Sequence, residues 1–297
     1  MNAKSDRVGQ SGNTAGRWRE TALPSIIVRV PPLARMRDLL RIGLFTGLYH
    51  CGRTFQRAAT LWFYAAAGTL RLADLRAAIE REWEDAGASE SENYISPGLM
   101  SWERDFYLRF LKPDDRVLVV GCGTGRDLLA LLELGYRAEG LDVAPRCTAI
   151  AGRLLRQRGF EVPLYTGAIE TIGLPGRFDA FIFSWFCYSY IPQSETRIHV
   201  LRKLRDHLNP DGRIQISYNP GKMAPRRLPI RLTQLVAWLC RSDWRPEYGD
   251  HLTIHDRNTL HYEHQFTREG LEGEARAAGL SVAFHERGKE GTAVLAA

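Results

Sequence analysis

Strand-like apolar runs alternate with helix-period stretches along the second half of the chain. R-V-L-V-V, residues 116–120, is a short buried-strand run that ends on glycines. D-L-L-A-L-L-E-L-G (127–135) has the form of a helix closed by glycine. The alternation continues with Y-R-A-E-G-L-D (136–142) as strand, C-T-A-I-A-G-R-L-L-R-Q-R-G (147–159) as helix and V-P-L-Y-T-G (162–167) as strand. F-D-A-F-I-F-S (178–184) is strand, S-E-T-R-I-H-V-L-R-K-L-R-D-H-L (194–208) helix and G-R-I-Q-I-S-Y (212–218) strand. Strands and helices at this spacing predict a parallel sheet covered on both faces. After residue 219 the rhythm breaks, and residues 222–260 read as basic, aromatic and irregular. It returns with a helix in F-T-R-E-G-L-E-G-E-A-R-A-A-G-L (266–280), its start marked by Thr267, and with two short strands, S-V-A-F-H and T-A-V-L-A.

The first third is different. Residues 1–20 are polar and predict a disordered tail, and residues 21–93 predict a helical extension. Within it, Leu72, Leu75, Ile79 and Trp83 repeat at three- and four-residue spacing, so that face needs something to cover. The remaining residues, 94–297, form one domain interrupted by 222–260, a stretch too long for an idle connection. Its Trp238, Trp244 and Tyr248, with Arg226, Arg227, Arg231, Arg241 and Arg245, predict a substrate cover suited to an anionic small molecule.

Composition narrows the class without naming a function. The chain has 297 residues, 44% of them hydrophobic, and a formal net charge of +6. No arginine stripe interleaved with aromatics is present, which argues against nucleic acid as partner. The five cysteines, Cys51, Cys122, Cys147, Cys187 and Cys240, are scattered and form no CxxC pair, as expected in a reducing compartment. The polar start lacks an apolar signal core, and the longest uncharged stretch of the apolar N-terminal part, residues 58–70, is too short to span a bilayer. A cytoplasmic protein is the expectation. The apolar N-terminal segment and basic charge also allow peripheral membrane contact, and its helices allow a homodimer.

The most informative stretch is V-V-G-C-G-T-G-R-D, residues 119–127. Gly121, Gly123 and Gly125 put a tight turn at the carboxyl edge of the sheet, where backbone can approach a ligand. Asp142 ends the next strand, where a carboxylate can accept from ribose hydroxyls. The spacing is G-x-G-x-G, unlike the G-x-G-x-x-G of dinucleotide sites.

With A-E-G-L-D, G-R-F-D-A-F-I-F-S, L-N-P-D-G-R-I-Q-I-S and the final helix and strand, this stretch resembles the class I S-adenosylmethionine-dependent methyltransferases over residues 94–297. The resemblance implies an α/β fold with a seven-stranded, mostly parallel, Rossmann-like sheet flanked by helices. T-A-V-L-A would be its last strand, slipped in antiparallel. It implies S-adenosylmethionine as cofactor, held at the loop Gly121, Cys122, Gly123 and Gly125. Asp142 would hold the ribose, Val143, Ala168 and Ile169 would meet adenine, and Ser184 and Trp185 the methionine portion. Many members carry an acid where this chain has Ala168, so the bond it makes to adenine is lost or comes from elsewhere. Tyr94 or Trp102 would close over the cofactor.

Catalytic candidates on the acceptor side are Tyr188 and Tyr190 in F-C-Y-S-Y-I-P, with His251 and His255 as candidate bases. No metal is expected, since the late histidines bring no cysteine and no H-E-x-x-H. The reading is methyl transfer to a small molecule in specialised metabolism. The alternatives are methylation of a lipid or membrane-proximal substrate, and a non-catalytic cofactor-binding subunit.

Overall fold

The computed structural model describes residues 32–84, 95, 97–221, 227–254 and 259–297. By its internal contacts the chain divides into two units, residues 1–55 and 56–297. A long helix, α1 (Pro32–Ala67), continues from the first into the second. The glycines at 43, 47 and 52 do not interrupt it.

The second unit holds the sheet. In chain order come α2 (Leu72–Glu84), α3 (Ser101–Phe110), β1 (Arg116–Val120), α4 (Arg126–Glu133), β2 (Arg137–Asp142), α5 (Pro145–Gln157) and β3 (Leu164–Thr166). Then follow β4 (Phe178–Phe183), a 3-10 turn (Ser184–Tyr190), α6 (Ser194–Asp206), β5 (Leu208–Tyr218) and α7 (Arg227–Leu239). The chain closes with β6 (Asp250–Ile254), β7 (Leu260–His264), α8 (Arg268–Ala277), β8 (Ser281–Arg287) and β9 (Gly291–Ala296).

Seven strands form one sheet in the order β3-β2-β1-β4-β5-β9-β8. The first five are parallel, and β9 runs antiparallel between β5 and β8. This is the seven-stranded, mostly parallel sheet expected from the sequence. Strand alternation explains its two cores. Leu118 and Val120 face one way with Phe181, Phe183, Ile214 and Ile216, under Val200, Leu201 and Leu204 of α6 and Leu271 and Ala275 of α8. Val117 and Val119 face the other way with Ala180 and Ile182, under Phe106 and Tyr107 of α3 and Leu128 and Leu131 of α4. Burial on both faces is why these strands read as continuous apolar runs rather than as alternation. At α8 the Thr267 side chain accepts from the Gly270 N–H at 3.0 Å, the cap its sequence predicted.

Residues 222–260 are more regular than their sequence. They contain α7 and β6, and β6 pairs antiparallel with β7. The helix was hidden because it is apolar on two sides: Ile230, Thr233 and Ala237 are buried, while Leu228, Leu235, Trp238 and Leu239 face outward.

Candidate functional site

The strand order reverses between β1 and β4, and a crevice opens at the carboxyl ends of strands on either side of such a switch. Register brings three of those ends together: Val120 pairs with Leu141 of β2 and with Phe183 of β4. The residues that follow each, Gly121, Asp142 and Ser184, therefore meet at one place.

All three loop glycines have positive φ, 74° at Gly121, 52° at Gly123 and 99° at Gly125, which favours glycine. Their surroundings differ. A Cβ on Gly121 would lie 2.7 Å from both Cβ and Sγ of Cys187, so this glycine makes room for the turn after β4. A Cβ on Gly125 would lie 3.1 Å from the Ala151 Cβ, so that glycine sets the approach of α4 to α5. A Cβ on Gly123 would meet nothing within 4 Å. Only this glycine leaves its backbone bare toward open space.

That space is a cavity of about 480 Å³, within the range of small-molecule sites. One wall is the loop from Gly121 to Thr124 with Asp142 and Val143. Asp142 accepts the Gly123 N–H at 2.7 Å and the Ala144 N–H at 2.9 Å. Burial pushes its carboxyl up, against the opposing pull of those N–H groups. The floor includes Phe183, Ser184, Trp185 and Cys187, and a third side is the turn Gly167 to Glu170. The fourth side comes from outside the sheet: Arg76, Ile79, Glu80 and Trp83 of α2. Arg76 pairs with Glu170 across the cavity at 3.3 Å. Trp83 meets the Tyr190 ring edge-on, with centroids 5.2 Å apart. The Arg146 N–H also donates to Glu84 at 2.9 Å, joining the end of α2 to α5.

Charge around the cavity is mostly acidic. Its lining carboxylates are Glu80, Asp127, Asp142 and Glu170, against Arg76 and Arg126. Arg126 is consumed by its neighbours. It pairs with buried Glu103, donates from Nε to Asp127 at 2.7 Å, and lies over the Trp185 ring. Asp127 also accepts from Ser184 Oγ at 2.6 Å. Burial, reinforced by the Asp127 charge, pushes Glu103 up to about 7 despite Arg126. Beyond Tyr190 lies His261, ring to ring at 5.8 Å, with its Nδ1 2.7 Å from Glu82. Burial works to lower the His261 pKa, but the Glu82 hydrogen bond and the Glu82 and Glu263 charges prevail and raise it. Trp185 and Phe186 hold left-handed backbone (φ 45° and 61°), a strain on the order of 1–3 kcal/mol each, of the kind concentrated at functional sites.

Gly121, Cys122, Gly123, Asp142, Val143, Ala168, Ile169, Ser184, Trp185 and Tyr190 thus come together on one cavity. Gly125 stands behind it, at the start of α4. Three sequence expectations are corrected. Tyr188 is not at the mouth: it is fully buried, and its hydroxyl donates to Glu274 at 2.8 Å under the Phe266 ring, because the turn after β4 sends it into the core. Trp102 does not line the cavity; it stacks on Phe186 at 5.5 Å and faces a separate surface depression. His251 sits on β6 with its ring 3.8 Å from Glu263, away from the cavity lining. Tyr94 and His255 lie outside the described residues.

The insertion does not line the cavity among the described residues. It packs on the outer side of the helical wall. Ile230, Trp244 and Leu252 share a core with Tyr64, Leu75 and Ile79, and Asp243 Oδ1 accepts the Leu72 N–H at 2.9 Å. Its arginines reach elsewhere: Arg231 to the Tyr248 hydroxyl, Arg245 to Glu195. Sequence reasoning missed Arg76, Glu80 and Trp83 as cavity residues. Trp83 was legible only as one member of a helix stripe in search of a partner.

Comparison with known proteins agrees with this geometry. A family profile described as "Methyltransferase domain" matches residues 117–212. A dTDP-3-amino-3,6-dideoxy-alpha-D-glucopyranose N,N-dimethyltransferase of Streptomyces fradiae is 27% identical over 193 residues, covering 59% of this chain and 73% of the relative. The structure of an S-adenosylmethionine-dependent methyltransferase from Clostridium acetobutylicum superposes with a TM-score of 0.51 at 14% identity, over 70% of this chain and 96% of that one. One from Methanosarcina mazei gives 0.51 at 18% identity, over 67% and 96%.

Proposed function

We propose that this chain, which carries a class I S-adenosylmethionine-dependent methyltransferase domain, methylates an amine on a small, sugar-like molecule. S-adenosylmethionine is the cofactor. Bound, it supplies a methyl group already activated by a positive sulfur, so the protein's task is placement rather than bond activation. Gly123, with no atom where its Cβ would lie, is the position that lets backbone meet the cofactor. Asp142, buried at the end of β2, can accept from ribose hydroxyls with the lone pairs its two N–H partners leave free. Val143, Ala168 and Ile169 form the side suited to the base, and Ser184 and Trp185 the side suited to the methionine portion.

The observation that carries the choice of acceptor is the charge of the cavity. Of the four carboxylates that line it, Glu170 and Asp127 pair with its two arginines and Asp142 is assigned to the ribose, which leaves Glu80 for the acceptor. With no unpaired arginine among the described lining residues, the cavity suits an amine acceptor, which Glu80 can hydrogen-bond. The dimethyltransferase of Streptomyces fradiae, named for a dTDP-linked amino sugar, supports an amine acceptor. Trp83 and Tyr190 offer aromatic surface to the positive charge that passes to the neutral amine as it is methylated. The Tyr190 oxygen can accept from an amine N–H and orient the lone pair.

The first test is calorimetric titration with S-adenosylhomocysteine, with NAD as control. Saturable binding of the thioether alone is expected. A mass-shift screen follows, comparing amino sugars with carboxylates and phenols. Methylation confined to carboxylates or phenols would overturn the amine reading while leaving the cofactor site intact.

A further inference from the structure

Exposed apolar surface and positive charge coincide on two helices. On α7, Leu228, Leu235, Trp238 and Leu239 are 67%, 52%, 74% and 63% exposed. They lie opposite the buried face of Ile230, Thr233 and Ala237. In the second unit α1 adjoins α7: Thr233 Oγ1 donates to the Tyr64 carbonyl at 2.8 Å, and a Cβ on Gly68 would meet Thr233 O at 2.6 Å. This end of α1 exposes Trp62 to 76%. The described part of α1 in the first unit has the same character, with Leu44, Phe45, Leu48 and Phe55 all exposed.

Charge follows the same helices. Residues 56–67 and 227–241 together contain four arginines (57, 227, 231 and 241) and no acid. No described helix is long and apolar enough to cross a membrane. A helix that combines apolar surface, exposed tryptophan and arginine without acid has the chemistry to lie in a bilayer interface.

We propose that α7 and the adjoining end of α1 dock on an anionic phospholipid surface, their tryptophans and leucines in the headgroup region and their arginines on lipid phosphates. Charge complementarity selects this occupant. A second copy of the chain would bring the same arginines face to face, with no carboxylate in residues 56–67 or 227–241 to answer them. The proposal is independent of which acceptor is methylated.

The test is co-sedimentation of the full-length protein with vesicles of phosphatidylcholine plus phosphatidylglycerol, and with phosphatidylcholine alone. Binding to the anionic vesicles, little to the neutral ones, and release by high salt are expected. Trp62→Ser/Trp238→Ser should weaken anionic-vesicle binding by about tenfold or more while leaving S-adenosylhomocysteine affinity and the circular dichroism spectrum unchanged. Arg227→Gln/Arg231→Gln should weaken it and reduce its salt dependence. Absence of anionic-vesicle binding, or equal binding by the tryptophan variant, overturns the proposal. So does a wild-type dimer in sedimentation velocity that the tryptophan variant turns into a monomer, which would give the face to a second copy.

Discussion

At the scale of single residues, the glycine loop shows one motif serving three physical purposes. Gly121 yields space to Cys187, Gly125 lets α4 approach α5, and Gly123 alone leaves open space. Their substitutions should therefore separate. Gly121→Ala should destabilise the fold by about 2 kcal/mol or more, because both the contact and the left-handed backbone oppose a methyl group. Gly123→Ala should cost only about 1 kcal/mol of stability yet weaken S-adenosylhomocysteine binding severely. Thermal melting and calorimetry on both variants check this, and equal losses of stability would contradict the assignment. Glu103 offers a pH test at the same scale. Burial raises its carboxyl from 4.5 to about 7 in the folded protein. Between those values the unfolded chain releases this proton while the folded one keeps it, so stability from this group falls as pH rises through that window. Glu103→Gln should flatten the melting temperature between pH ~4.5 and ~7. The acid itself was not legible as special in W-E-R-D; only its meeting with Arg126 and Asp127, far along the chain, makes it so.

At the scale of elements, the helical wall is the main departure from what the sequence told. The α2 stripe of Leu75 and Ile79 was readable, and the structure shows its partner: Ile230, Trp244, Leu252 and Tyr262 of the insertion and the strand after it. The insertion thereby holds the wall that lines the cavity instead of lining it directly. The Asp243 cap on the Leu72 N–H is one measurable part of this support. Asp243→Ala should cost about 1 kcal/mol in thermal unfolding, with S-adenosylhomocysteine affinity little changed. Tyr190→Phe tests the other side of the same wall. It should lower turnover about tenfold, one hydrogen bond's worth, without altering cofactor affinity. A full loss of cofactor binding would show that Tyr190 serves the cofactor and not the acceptor.

At the scale of the molecule, one buried cation joins the sheet's flanking helices to the insertion. Arg197 of α6, 1% exposed, donates to Glu274 of α8 at 2.7 Å, to Glu247 at 2.8 Å and to the Ile191 carbonyl at 3.0 Å. Its charge also holds Glu247 low against the effect of burial, together with the Ser194 N–H. The acids Glu247 and Asp250 with His264 could be mistaken for a metal site, but Arg197 already supplies the cation to Glu247, and His264 and Tyr262 both hydrogen-bond Asp250. Arg197→Met should lower stability by about 3–5 kcal/mol, because Glu274 is left buried, and Glu247 half-buried, without their cationic partner. A melting temperature close to wild type would show that the network contributes nothing net.

The sequence by itself determined which runs are strands and helices, the mostly parallel character of the sheet and the place of the glycine-loop crevice. Those follow from local periodicity and from turn chemistry within a few residues, as in R-V-L-V-V followed by G-C-G-T-G. Tertiary structure alone decided which side chains complete the cavity. Tyr188 and Tyr190 are two residues apart and look alike in sequence, yet one enters the core and the other faces the cavity. The difference is set by the left-handed turn at Trp185 and Phe186. Arg76 meets Glu170, and Trp83 meets Tyr190, across chain separations that no local pattern encodes. Such contacts arise when separately folded elements bury their apolar faces against one another, so their chemistry becomes visible only once the whole chain has packed.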